Sequence, residues 1–184
     1  MFKIGTALMV TCLLSAGFLV GIFTLTKSKI AEQQYLKIQS GLKIVLPESG
    51  GEFVEQKTDD FSYYIGKNKN GERVGYCFST AGSGYGGEIK VLVGVDKDWT
   101  ITGILVLDHK ETPGLGAQIA EFKNKKEPMF TGQFKGKKAE HLVLVKDKSS
   151  EYIQVVTGAT ISSRAVVDSV KKKLKEFRTQ MIAD

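Results

Sequence analysis

The chain has 184 residues, of which 42% are apolar and 25% charged. This composition fits one ordinary folded domain and excludes both a disordered chain and a fibrous repeat. Lysine and arginine exceed aspartate and glutamate by 26 to 20, a net charge of +6, and the two cysteines are too few for a disulfide scaffold. The charges are distributed unevenly, because an uncharged run stands near the N-terminus.

That uncharged apolar segment extends from Ile4 to Thr26, between Lys3 and Lys27. As a helix it would be about 34 Å long, enough to cross the roughly 30 Å of bilayer hydrocarbon. A cleaved secretory signal has a shorter apolar core followed by a small-x-small cleavage site, whereas this run passes directly into charged residues. The sequence therefore predicts a single transmembrane helix over 4–26, in contact with the lipid bilayer.

The segment after the span, 27–46, keeps apolar residues at intervals and contains few helix breakers before Pro47. This pattern predicts that the helix continues as an amphipathic stalk. Residues 1–3 would form a short tail on the other side of the membrane. The positive charges that flank the span are nearly balanced, so the positive-inside rule leaves the orientation open.

Residues 47–184 have the pattern of a mixed α/β domain of the α+β type with an antiparallel-rich sheet. Two aromatic and β-branched runs, 61–66 and 73–79, flank a loop that contains Asn70 and Gly71. Asn-Gly between such runs is a strong hairpin signal. Further elements are predicted at these positions: strands over 89–95 and 100–107, a helix over roughly 117–124, and strands over 141–147 and near 152–156.

The C-terminal segment is predicted to be an amphipathic helix. Its apolar residues recur at spacings of three and four and share one face: Val166, Val167, Val170, Leu174 and Phe177. Ser162 and Ser163 are suitable N-cap residues. The lysines near the end of the helix fit a solvated face at the negative end of the helix dipole. No aromatic platform accompanies them, so no nucleic-acid partner is expected.

Two glycine-bearing loops are candidates for a site. Residues 82–87, GSGYGG, match the dinucleotide pattern G-x-G-x-x-G, but a strand-like run follows where that pattern needs a helix. A ligand-facing turn remains open. Residues 109–116, HKETPGLG, are either a surface loop or a site, and their lone His109 gives no metal signature. The chain has no nucleophile elbow and no phosphate loop, so no catalytic residue is assigned.

The segment from Thr157 to Thr160, TGAT, joins a strand end to the start of the C-terminal helix. An anion beside Thr160 would meet free backbone N–H groups and the positive end of the helix dipole. The small residues Gly158 and Ala159 would leave space beside it. The alternative from composition alone is an ordinary capped helix start.

Three segments carry a resemblance to a known family: TGATISSRAVV at 157–167, HKETPGLGAQI at 109–119 and GYGG at 84–87. Together they resemble the FMN-binding domain of the G subunit of the Rnf-type ferredoxin:NAD oxidoreductase. They are also similar to the C subunit of the sodium-pumping NADH:quinone oxidoreductase. In that family the motif S/T-G-A-T carries FMN covalently, as a phosphoester on its last threonine, which is Thr160 here.

The resemblance implies FMN bonded to Thr160 within an FMN-binding domain over 47–184. Further flavin contacts are expected from two groups of residues: Thr157, Gly158, Ala159, Ile161 and Ser162 of the motif, and Glu111, Thr112, Gly114, Leu115 and Gly116 of the loop. No base flanks Thr160, so a separate flavin transferase that uses FAD is expected to make the bond.

The resemblance also implies an electron-relay subunit, without a complete active site of its own, in a membrane-bound ion-translocating complex. Other membrane subunits of that complex would be its partners, and the flavin domain would lie on the extracytoplasmic side of the inner cell membrane. Three alternatives stay open: a flavoprotein like the C subunit of the quinone reductase, a stand-alone extracytoplasmic flavoprotein, and a membrane-anchored binding module without redox function.

Overall fold

The computed structural model describes residues 2–58, 61–123 and 127–183. The chain forms two compact units, Met1–Lys37 and Ile38–Asp184. The first helix, α1, extends over Phe2–Val45. The sheet strands follow: β1 Glu52–Lys57, β2 Ser62–Lys67, β3 Arg73–Ser83, β4 Glu88–Asp96 and β5 Ile101–Asp108. After four shorter strands, α2 extends over Thr160–Ala183.

The N-terminal part of α1 is long and apolar enough to cross a membrane. The mean hydropathy of its most apolar window is 2.3, and none of that window is buried. The hydroxyls of Thr11, Thr24 and Thr26 donate to carbonyl oxygens one turn earlier in the helix, at 2.9, 2.8 and 2.8 Å. These polar groups are therefore satisfied within the helix, as a bilayer requires. The N-terminal tail that the sequence predicts begins at Met1, which lies outside the described residues.

The five long strands form one antiparallel sheet in the order β1-β2-β3-β4-β5. This confirms the antiparallel-rich sheet, and the predicted hairpin around Asn70 and Gly71 is the connection between β2 and β3. The runs predicted at 89–95 and 100–107 lie within β4 and largely within β5. Each strand thus pairs with its neighbour in sequence through a short connection.

Helix α2 packs on one face of the sheet. The five apolar residues predicted to share its inner face are all buried, from Val166 to Phe177. They contact alternate residues of the central strands, among them Phe78, Val91 and Val93. At the end of β3, Gly82 allows close approach, because a Cβ there would collide with the carbonyl oxygen of Ala165 in α2.

The other face of the sheet is covered by the last residues of α1. Leu42, Val45 and Leu46 are fully buried and form a second apolar cluster with Tyr64, Cys77 and Leu92. Cys77 and Leu92 alternate along their strands with residues of the first cluster, so they point to the opposite face. The role of this face is apolar packing. The candidate site lies elsewhere, next to the start of α2.

Three predictions made from the sequence between 117 and 156 are wrong in type or extent. Instead of a helix over 117–124, Gly116–Ala120 form a short 3₁₀ turn, after which β6, Phe122–Lys123, pairs with β7, Glu127–Pro128. Position 124 lies outside the described residues. The segment is too short for its hydrogen bonds and packing to offset the free-energy cost of helix nucleation. Of the turn residues, only Gly116 and Ile119 are buried.

The two predicted strands beyond this turn shrink to two residues each. Leu144–Val145, β8, and Ile153–Gln154, β9, form a small parallel pair, and His141 lies in a 3₁₀ turn before it. Lys171 of α2 donates to the carbonyl oxygen of Leu142 at 3.1 Å. That oxygen is therefore bonded to α2, and the pairing extends no further in this direction.

Candidate functional site

Helix α2 begins at Thr160, earlier than the serine caps predict. The carbonyl oxygen of Ala159 accepts the first helical hydrogen bond, from the N–H of Ser163 at 2.9 Å. The two serines lie within the first turn and their hydroxyls bond elsewhere, so the prediction that they are N-caps is wrong. Gly158, with φ of +78°, adopts the left-handed conformation that starts the helix at this point.

Thr160 is exposed at the first position of this 24-residue helix. The first N–H groups of a helix have no partner within the helix, and the macrodipole is positive at this end. Thr157 and Gly158 are exposed as well, whereas Ala159 is buried. The Thr160 hydroxyl is therefore accessible from solvent, in surroundings that favour an esterified phosphate.

The loop between β5 and the 3₁₀ turn lies against this helix start. A Cβ built on Gly158 would lie 3.3 Å from Cδ2 of Leu115, so the two segments are in van der Waals contact. Leu115 remains 50% exposed. Gly114, with φ of +74°, has open space where a Cβ would stand, and Thr112 is exposed. The structure thus brings together the two motifs, which are separated by about forty residues in the sequence.

Glu111 is buried where three segments meet, with 6% of its surface exposed. Its Oε1 accepts a hydrogen bond from the N–H of Gly86 at 3.0 Å. Its Oε2 accepts one from the hydroxyl of Ser162 at 2.6 Å. The carboxylate therefore links its own loop to the β3–β4 turn and to the first turn of α2.

Ser163 provides a second link at the start of α2. Its Oγ accepts a hydrogen bond from the N–H of Val156 at 3.1 Å, which holds the chain just before the TGAT segment. His109, the lone histidine of the loop, accepts a hydrogen bond at Nδ1 from the N–H of Glu111 at 3.3 Å. Both side chains thus orient backbone near the site.

The glycine run 82–87 connects strand to strand, as its flanking sequence predicts. The N–H of Gly84 donates to the carbonyl oxygen of Gly87 at 2.8 Å and closes the turn between β3 and β4. Sequence reasoning leaves this turn open as a ligand-facing loop but names none of its residues as a flavin contact. Gly86 is part of the site through Glu111, and its neighbour Tyr85 is 76% exposed. The sequence signal that points to Gly86 and Tyr85 is the glycine run itself, in which Tyr85 is the one large side chain.

A groove of about 370 Å³ lies beside the same helix. It lies between the end of β3 and the first turns of α2, and these residues line it: Ala81, Gly82, Ser83, Ile161, Arg164, Ala165, Asp168, Ser169 and Lys172. Of these side chains, Ile161 is the one next to Thr160 in sequence, and it is 53% exposed.

Known proteins are similar to this chain in sequence and in fold. The FMN-binding domain family matches residues 84–175. The G subunit of the proton-translocating ferredoxin:NAD(+) oxidoreductase complex of Clostridium ljungdahlii is 35% identical, over 97% of this chain and 92% of its own length. The G subunit of the Na(+)-translocating complex of Acetobacterium woodii is 41% identical, over 68% of this chain and 59% of its own.

Among solved structures, the crystal structure of NqrC of Shewanella oneidensis has the same fold, with a TM-score of 0.55 at 23% identity, covering 72% of this chain and 70% of that one. The fold and the sequence match thus define a protein of the FMN-binding domain class. Within that class, the chain belongs to the family of G subunits of ion-translocating oxidoreductase complexes.

Proposed function

We propose that this chain is the FMN-carrying electron-transfer subunit of a membrane-bound, ion-translocating ferredoxin:NAD oxidoreductase of the Rnf type. Family membership and the relatives named as subunits of such complexes support this function. The observation that carries the cofactor assignment is the exposed Thr160 at the start of α2, with the loop of Leu115 packed beside it.

FMN is held covalently at Thr160, as a phosphoester of its hydroxyl. The phosphoester keeps one negative charge, which the N-terminal end of α2 stabilises through its free N–H groups and its dipole. Leu115 and Ile161 offer exposed apolar surface near Thr160, and Thr112, Gly114 and Gly116 belong to the same loop as Leu115. When bound, FMN supplies one- and two-electron redox chemistry, while the protein binds and orients it.

The bond at Thr160 requires another protein. A threonine hydroxyl is a weak nucleophile at neutral pH and needs an adjacent base to attack a phosphate. A flavin transferase therefore makes the bond from FAD: the bond from threonine Oγ to the FMN phosphorus forms, the pyrophosphate bond breaks, AMP leaves, and the hydroxyl proton is released. The chain is the acceptor substrate in that step.

The N-terminal apolar helix and the family together indicate a membrane-associated protein. We place residues 4–26 in the inner cell membrane and the tail 1–3 in the cytoplasm. The stalk 27–46 and the flavin domain 47–184 lie on the extracytoplasmic side. The other membrane subunits of the complex are its electron-transfer partners in this arrangement.

Replacing Thr160 tests the attachment site. Full-length protein is expressed beside an active flavin transferase, and denatured bands are examined for flavin fluorescence and for the added mass of FMN. Thr160→Ala should lose both signals, whereas Thr179→Ala, an exposed threonine of the same helix outside the motif, should keep them. A fluorescent Thr160→Ala band would show that the attachment site is wrong.

A second candidate function, as a flavoprotein like the C subunit of the quinone reductase, follows from the similarity of the sequence motifs, and the shared fold with NqrC is compatible with it. The native complex should be isolated through this chain, and reduction of its flavin should be followed after addition of ferredoxin or NADH. Reduction of the flavin by ferredoxin supports the Rnf type. Reduction by NADH without any reduction by ferredoxin supports the quinone reductase. Colourless protein without added mass would instead support a binding module without redox function.

A further inference from the structure

Three apolar side chains on three separate segments are exposed next to residues that contact Glu111. Tyr85 is 76% exposed at the β3–β4 turn, Leu115 is 50% exposed in its loop, and Ile161 is 53% exposed in the first turn of α2. A single exposed apolar side chain needs no explanation. These three are unusual because each directly precedes a residue that lies against the carboxylate of Glu111.

The contacts of that carboxylate follow one pattern. Gly86, after Tyr85, donates its N–H to Oε1 at 3.0 Å. Ser162, after Ile161, donates its hydroxyl to Oε2 at 2.6 Å. Gly116, after Leu115, lies so close that a Cβ there would collide with Oε2. One side chain therefore fixes the backbone beside all three apolar residues.

Because Glu111 is buried, its carboxylate requires hydrogen-bond donors from the protein. A buried carboxylate is costly unless its oxygens are hydrogen-bonded, and both donors here come from segments distant in sequence. Space is restricted too, because a Cβ at Gly84 would collide with Oε1. The carboxylate is satisfied only when the turn, the loop and the helix start are all in place. These bonds lie within the chain, so the arrangement exists before any flavin is attached.

We propose that Glu111 is a positioning residue that holds Tyr85, Leu115 and Ile161 as a preformed apolar rim for the isoalloxazine of the flavin on Thr160. Tyr85 is then a flavin contact in addition to those expected from the motifs, since an aromatic side chain packs well on a planar ring system. The inference rests on the proposed function, because it requires a flavin at Thr160.

Iodide quenching of flavin fluorescence in native, full-length, flavinylated protein measures this rim. The Tyr85→Ala variant should fold, because this side chain is 76% exposed, and its quenching is compared with wild type per mole of attached flavin. Its quenching constant should rise about threefold, since a contact that covers the ring is lost. Glu111→Ala should give a comparable rise and slower flavinylation.

Conservative and matched variants separate positioning from bulk stability. Glu111→Gln should restore quenching close to wild type, because the amide oxygen can accept from Gly86 and the amide nitrogen can donate to Ser162. Ser169→Ala is the matched control for Ser162→Ala, since the Ser169 hydroxyl donates to the carbonyl oxygen of Val166 within its own helix. Ser162→Ala should raise the quenching constant, and Ser169→Ala should leave it unchanged.

The outcomes are distinguishable. Absence of flavin from the wild-type protein would refute the proposed function itself. If the wild type carries flavin but Tyr85→Ala and Glu111→Ala are both quenched like wild type, only the proposed rim is refuted. A lower unfolding midpoint without any change in quenching would likewise assign Glu111 a purely structural role. If Glu111→Ala fails to fold, Ser162→Ala decides, and wild-type quenching in that variant overturns the proposal.

Discussion

The two turns at the ends of β3 both depend on glycine, yet for different reasons. The turn before β3, residues 68–72, is exposed and held by its own side chains. Asn68 Oδ1 accepts hydrogen bonds from the N–H groups of Asn70 and Glu72, both at 2.9 Å. Gly71 has φ of +80°, and nothing lies within 4 Å of the place where its Cβ would stand.

The turn after β3, residues 84–87, is built against the rest of the domain. A Cβ at Gly84 would collide with Glu111, and a Cβ at Gly86 would collide with the carbonyl oxygen of Lys110. Neither glycine has a positive φ. Gly71 is needed for its backbone conformation, whereas Gly84 and Gly86 are needed for close approach; in the second turn only Gly87, with φ of +147°, has a positive φ. The second requirement marks the turn that takes part in the site.

The largest effect is expected for Gly86→Ala. The neighbouring atom is a backbone oxygen that cannot rotate away, so we expect a loss of about 3 kcal/mol in the free energy of unfolding. Flavinylation should slow with it, because the turn can no longer donate to Glu111. Denaturant unfolding followed by the fluorescence of Trp99, the one tryptophan, measures the first effect and intact mass the second. Wild-type stability would show that the turn is not packed as described.

The burial of Cys77 in the middle of β3 can be tested by measuring unfolding at alkaline pH. Burial raises the pKa of the Cys77 thiol from 9.0 to about 12. The folded state therefore binds this proton more tightly than the unfolded state, so its contribution is complete below pH 9 and is lost as the pH rises towards 12. The loss should approach about 1 kcal/mol per pH unit within that range.

The control for this measurement is Cys77→Ala. The variant is less stable below pH 9 because it leaves a cavity, but it lacks the titrating group. Other groups titrate in both proteins, so the difference between their unfolding free energies should narrow above pH 9. A difference that stays constant up to pH 11, about two units above the ordinary thiol pKa, would contradict the burial of the thiol.

Gly71→Ala should cost less than Gly86→Ala. Space is available, so the penalty comes only from placing a Cβ in the left-handed region, about 1 kcal/mol. Flavin content should equal that of the wild type, since the turn lies outside the site. A larger loss than for Gly86→Ala, measured by the same unfolding experiment, would reverse the comparison between the two turns.

The smallest effect is expected for Asn68→Ala. Its side chain is partly accessible to water, so the lost hydrogen bonds to the turn should cost about 0.5 kcal/mol each at most. The unfolding midpoint should fall slightly and the flavinylation rate should stay constant. A slower rate in this variant would show that the two ends of β3 are coupled.

The elements predicted well are those whose causes are local. The Asn-Gly hairpin and the alternating strands β4 and β5 follow from neighbouring residues, and α2 follows from its apolar spacing. The segments between 117 and 156 are predicted too long, because their short turns and strands depend on contacts such as Lys171 with Leu142. The serines at the start of α2 are predicted as caps because nothing in the sequence indicates that Ser162 faces Glu111.

The sequence by itself determined the long apolar N-terminal helix, the strand pattern and the TGAT segment at a helix start, since each depends on residues that are close together in the chain. Only the tertiary structure decided that Glu111 is buried and that Gly86 and Ser162 bond to its two oxygens. The reason is physical: a buried carboxylate is stable only through donors from separate segments, and their approach is fixed by the packing of the whole domain.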